Sequence, residues 1–137
     1  MTGSIAAIAQ LGRDECLARL AMTSIGRVAV TSQALPAVVP VNYSLVGNNI
    51  IVRTEVGGMV ARGCDGTVVA FEIDDLAADG RTGWSVLVVG VAELLDGSPA
   101  IRAMEAGLVS AVGPGRDQFI AITIARLTGR SVGPPQG

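Results

Sequence analysis

The 137-residue chain contains no histidine and no lysine; all ten of its basic residues are arginines. Without histidine there is no Ser-His-Asp or Cys-His catalysis and no imidazole metal ligand. Without lysine there is no Schiff-base chemistry. Cys16 and Cys64 are the only cysteines, too few and too far apart to read as a metal site, and they read as small buried apolar residues. Aromatic residues make up 3% of the chain. Net charge is −2, with no basic block, so a groove that tracks nucleic-acid phosphates has no source. No apolar run reaches the roughly 18 residues that a membrane-spanning helix requires. The run Ile5-Ala6-Ala7-Ile8-Ala9 is too short for a signal segment and has no basic stretch before it. These features read as a cytoplasmic protein with no membrane or nucleic-acid partner, whose chemistry comes largely from a bound cofactor.

Half of the residues are apolar and 16% are charged, enough to build one core and consistent with a single domain. Leu11 to Thr23 reads as a helix, with Gly12 as N-cap and Asp14 and Glu15 in the first turn, where the macrodipole favours acids. Leu11 and Cys16 suit a hydrophobic staple, and Leu17, Leu20 and Ala21 form the apolar stripe.

From Ser24 the period becomes two. Val28 and Val30 share one face, with Arg27, Ala29 and Thr31 on the other. After a turn at Gln33 to Pro36, Val39, Val41, Tyr43 and Leu45 alternate with Pro40, Asn42 and Ser44. Gly47-Asn48-Asn49 is a hairpin turn, because Gly and Asn tolerate positive φ. Ile50 to Thr54 returns, and Gly57 to Gly63 is a short helix-like connection. Val69, Phe71 and Ile73 alternate through the next strand, and Asp74 and Asp75 read as a solvated strand end.

Trp84 to Leu95 is apolar on both faces, as a barrel centre or an interface requires. Ser98-Pro99 opens a further helix, Phe119 to Ala125 is a sixth strand, and Thr128 to Val132 a short seventh. Short hairpin connections favour a mostly β, antiparallel barrel with accessory helices. Residues 1–10 read as an N-terminal extension, 11–132 as the domain and 133–137 as a flexible tail.

Seven segments carry a more specific signal. They are Asp14 to Leu20, Gly26-Arg27-Val28-Ala29-Val30, Pro40-Val41-Asn42-Tyr43, Ile51-Val52-Arg53-Thr54, Val69 to Asp74, Gly83 to Gly90, and Leu127-Thr128-Gly129-Arg130. In this order they resemble the FMN-binding split β-barrel family of pyridoxamine 5′-phosphate oxidase-like proteins. The resemblance implies a homodimer with flavin sites at its interface and a flavin-dependent oxidoreductase activity on a small-molecule ligand. It implies that the backbone of Pro40, Val41 and Asn42 meets the isoalloxazine ring, with Arg53, Thr54, Gly58 and Met59 near the phosphate.

Arg53 suits that role because a guanidinium holds phosphate bidentately. The structural alternative is a surface ion pair with Glu55 or another carboxylate. Trp84 reads as an interface or core residue, and Asn42 and Tyr43 suit structural roles as well as a site.

The chain departs from the family at Gly58 and Met59, where relatives commonly carry a hydroxyl residue and a lysine, and at Val89, where many carry a basic residue. The phosphate site is therefore expected to be weakened, with the backbone N–H groups of Gly57-Gly58 as substitute donors. The alternative function is a non-catalytic dimer that has lost FMN affinity or binds another apolar ligand or the deazaflavin F420. The anionic tail of F420 would want more basic residues than this chain offers.

Overall fold

The computed structural model describes residues 7–95, 97 and 117–133. The elements run β1 (Ala7–Gln10), α1 (Arg13–Met22), β2 (Ile25–Ser32), β3 (Leu35–Val46), β4 (Asn49–Glu55), α2 (Met59–Cys64), β5 (Thr67–Leu76), β6 (Gly83–Leu94) and β7 (Asp117–Gly133). The strands hydrogen-bond in the order β1-β7-β4-β3-β2-β5-β6, all antiparallel, and β6 pairs back onto β7 to close a barrel.

Strand β7 makes the closure. Its 17 residues pair with β4 through Asp117–Thr123, with β6 through Ile120–Val132 and with β1 through Arg130–Gly133. Near its middle the register slips: Val89 faces Arg126 but Gly90 faces Ile124, so Ala125 is a bulge. A bulge bends its strand and increases twist, as closure requires. The crossing is so close that a Cβ on Gly90 would lie 1.8 Å from the Thr123 carbonyl oxygen. The expected sixth and seventh strands are therefore one strand, and the break between them is this bulge.

Side-chain alternation decides the inside. Val28 and Val30, Val41 and Tyr43, Ile50 and Val52, Val69, Phe71 and Ile73, Val86 and Val88, and Ile120 and Ile122 converge in one core. Cys16 and Leu20 of α1, and Val60 and Cys64 of α2, pack against the same core.

Helix α1 begins after Gly12, as the sequence indicates, and both Leu11 and Cys16 reach Gly129 of β7, which leaves room for neither to move inward. The outer end of the expected stripe does not hold, since Ala21 is exposed. Tyr43 ties α1 to the barrel: its hydroxyl donates to the Leu20 carbonyl at 2.7 Å, hydrogen-bonds Thr23, and its ring meets Phe71 edge-on at 4.7 Å. Burial pushes the Tyr43 phenol up from its usual pKa, against the Thr23 hydrogen bond.

Among the described residues the sheet begins at Ala7, inside the segment expected to be an extension, because Ala7–Gln10 pairs with the end of β7. The helix expected from Ser98-Pro99 lies outside the described residues, as do residues 134–137 of the expected tail. Among the described residues, no helix is long and apolar enough to cross a membrane.

Candidate functional site

The outer surface of β2, β3 and β4 carries Pro40, Asn42 and Arg53 from among the residues singled out from the sequence. Strand β3 pairs with β2 over Leu35–Asn42 and with β4 only from Asn42 onward. Its Leu35–Val41 segment thus has β2 as its neighbour on one side and none of the β4 pairing on the other. Pro36 and Pro40 fit this segment because a proline has no N–H to lose at an edge.

Pro40 lies opposite Arg27 of β2, and Asn42 lies between Ile25 of β2 and Arg53 of β4. Val41 points inward and is 7% exposed, whereas Pro40 and Asn42 are exposed. Ile25, Asn42 and Arg53 therefore form one outward row, and two strand spacings place Ile25 about 10 Å from Arg53.

Arg53 is half-buried, and its Nε is out of contact with solvent. Phe119 of β7 lies directly across from it and is buried, 8% exposed. Thr54, with the parity of the inward-facing Val52, is half-buried at the strand end.

The chain then turns. Gly57 has φ +71, and the Gly58 N–H donates to the Glu55 carbonyl at 3.0 Å. That bond corrects one expectation: the Gly58 N–H is committed within the turn rather than available to an anion. Gly58 itself is extended (φ −72, ψ 176) and caps α2. Met59 is the first residue of α2 and is 45% exposed. The structure thus brings Pro40, Asn42 and Arg53 together on one face, leaves Thr54, Gly58 and Met59 in the strand end, turn and helix start that follow Arg53, and gives Val41 to the core.

Sequence reasoning missed the other end of the face. Arg27 Nη1 donates to Asp74 Oδ2 at 2.7 Å and to Glu72 Oε1 at 3.0 Å, both on β5. Asp74 is not a solvated strand end, because β5 continues to Leu76. The signal was present in the outward parity of Arg27, Glu72 and Asp74, but alternation alone does not show which strands become neighbours. Burial pushes the Glu72 carboxyl up, helped by the hydrogen bond and charge of Asp74 and opposed by Arg27. Asp74 and Glu72 in turn hold the Arg27 guanidinium charged, its pKa raised.

A depression of about 120 Å³ opens beside this cluster, lined by Ile25, Gly26, Arg27, Pro40, Ile73 and Asp74. At the barrel's side, Trp84 is half-buried beneath the Arg19 guanidinium, 4.8 Å from the ring centroid.

A closed antiparallel barrel with a six-residue helix between β4 and β5, and a strand edge beside Asn42 and Arg53, is a split β-barrel. The family model described as pyridoxamine 5′-phosphate oxidase matches residues 12–131, and the chain belongs to that family. The uncharacterized protein Rv0080 of Mycobacterium tuberculosis is 38% identical over 127 residues, covering 89% of this chain and 84% of that protein.

Solved structures share the fold. The FAD-binding protein from Mycobacterium smegmatis superposes with a TM-score of 0.70 at 23% identity, covering 91% of this chain and 98% of that one. An FAD-binding protein from Mesorhizobium loti gives 0.73 at 21% identity, covering 93% and 98%.

Proposed function

We propose that this protein binds a flavin, FMN in the first instance, on the outer face of β2–β4 and acts as a flavin-dependent oxidoreductase. The observation that carries this is the single outward row of Asn42 and Arg53 beside Pro40, on a barrel whose family model spans residues 12–131. The two FAD-binding proteins of the same fold support it.

The residues suit the group. Arg53 offers a half-buried guanidinium for a phosphate, and the Pro40-Val41-Asn42 segment, unpaired with β4 before Asn42, offers a partly open backbone edge for the ring. Bound flavin would supply hydride transfer; the protein's part is to orient the ring and exclude water. The protein also assembles as a homodimer in this reading. Leu87, Val91 and Leu94 on β6 and Val68 on β5 are exposed apolar side chains, with Val68 directly across from Val91. A cytoplasmic location belongs to the same reading.

The committed Gly58 N–H and the thioether at Met59 favour a second reading, a dimer that has lost FMN affinity and keeps an apolar ligand. A visible absorption spectrum of the purified protein, with mass analysis of any released ligand, separates the two. A flavin band with a flavin mass supports the first, and a colourless protein releasing another compound supports the second.

A further inference from the structure

We infer that Pro36 and Pro40 guard the open edge of β3 and keep it from pairing with a strand of a second copy of this chain. Among the described residues, β3 pairs with β2 over Leu35–Asn42 but with β4 only from Asn42 onward. Leu35–Val41 therefore has one open side, about 20 Å long at the usual rise of a strand.

One hydrogen bond fixes the backbone directions. The Tyr43 N–H donates to the Ser24 carbonyl at 3.0 Å, so Tyr43 turns its backbone toward the β2 side. Successive residues of an antiparallel strand alternate in this direction. Val41, Val39 and Ala37 therefore bond to β2, and Pro40, Val38 and Pro36 face the open side. The pairing of Asn42 with Arg53 on that same side agrees. Both prolines thus stand where an N–H would be offered to an incoming strand, and Val38 alone keeps one.

The side chains show why a guard matters here. From Leu35 to Val46, β3 is rich in β-branched and aromatic residues and has no charged side chain. Leu35 is 70% exposed and Val38 is 66% exposed. An open, apolar edge is a template for association, and sheets interrupt such edges with charges or prolines. With no charge on β3, the prolines are the interruption.

The symmetric contact shows how they act. Two β3 edges meeting antiparallel with Val38 opposite Val38 would set Pro36 of each copy opposite Pro40 of the other. Each copy would then donate from Val38 alone, and the proline carbonyls would be covered without a donor, which is unfavourable. Flavin binding plays no part in this guard, and Pro36 lies outside the proposed ring segment.

The test uses the full chain with Pro36→Thr, Pro40→Thr and both together, each checked by circular dichroism and melting. Sedimentation over a concentration series reads association, and NMR amide exchange reads pairing. In the wild type the Val38 amide should exchange fast, and those of Val39 and Val41 slowly. In the symmetric contact each single substitution restores two hydrogen bonds, one from each copy. Association beyond the wild-type species should therefore begin at about five- to 150-fold lower concentration, and lower still in the double variant. New exchange protection at positions 36, 38 and 40 should accompany it.

Folded variants that sediment as the wild type does would overturn the guard. So would association without new protection at those amides, which would mark contact through side chains alone. A slowly exchanging Val38 amide in the dilute wild type, a measurement that needs no variant, would overturn it as well.

Discussion

Replacing Met59 with lysine should increase affinity for FMN, and the structure sets the size of the effect. Met59 is 45% exposed at the first position of α2 and lies outside the hydrophobic core, so the substitution should change stability by about 0.5 kcal/mol or less. A lysine beside the turn after Arg53 adds one charge-assisted hydrogen bond to phosphate. Such a bond contributes about 1.5–3 kcal/mol, or about ten- to 150-fold in Kd.

Gly58→Thr can be added to it. Gly58 has φ −72 and ψ 176, an extended conformation that threonine adopts readily, and the positive φ of this turn belongs to Gly57. The threonine Cβ would lie 3.2 Å from the Glu55 oxygen, so a shift of a few tenths of an ångström is required. The assay is flavin fluorescence quenching at low and high salt, with riboflavin as the phosphate-free control. FMN affinity should rise, the rise should shrink with salt, and riboflavin should be unaffected. Unchanged FMN affinity in a folded Met59→Lys protein would refute the argument that the phosphate end lacks a second cation beside Arg53.

Three further outcomes follow from the same geometry. Gly90→Ala should destabilise the barrel by about 1–3 kcal/mol in denaturant melts, because the new Cβ would sit 1.8 Å from a backbone oxygen that cannot rotate away; an unchanged midpoint would contradict the crossing. Burial pushes the Cys64 thiol up to about 11 from 9.0, so the unfolded chain ionises first as pH rises. Stability from this thiol is therefore intact below pH 9.0 and declines above it, by about 2–3 kcal/mol once pH passes the folded value; Cys64→Ala should flatten the alkaline slope of melting curves. Leu87→Arg, on the exposed β6 face, should convert the proposed dimer to monomer in sedimentation with stability changed by about 0.5 kcal/mol or less; a persisting dimer would place the interface elsewhere.

The strands were legible because one face of each is dry. Val28 and Val30, or Val69, Phe71 and Ile73, announce their inward parity whatever their neighbours are. The hairpin after Val46 was equally plain, with Gly47 at φ +59. The turn joining β2 and β3 was harder: its two residues are Gln33 and Ala34, both at positive φ, which neither residue type advertises. Leu35 and Pro36 consequently belong to β3 rather than to the turn. The continuity of β7 was hidden for a similar reason, since a bulge at Ala125 breaks the alternation without ending the strand.

At the site, Asn42 and Arg53 could be singled out, and their direct opposition across β3 and β4 follows from the short hairpin between them. The Arg27–Asp74 pair could not be read this way, because 47 residues separate its members and the β2–β5 pairing that brings them together is non-local. The commitment of the Gly58 N–H to Glu55 likewise depends on turn geometry that Glu55-Val56-Gly57-Gly58 does not dictate alone.

The central claim is that this face binds flavin through Arg53, and the most direct measurement is FMN titration of wild type and Arg53→Ala by fluorescence quenching, with melting curves to show that both are folded. The account predicts saturable binding by the wild type and a loss of about ten- to 150-fold in the variant, the worth of a charged hydrogen bond to phosphate. Equal affinity in the two proteins, or no binding by either, would contradict it.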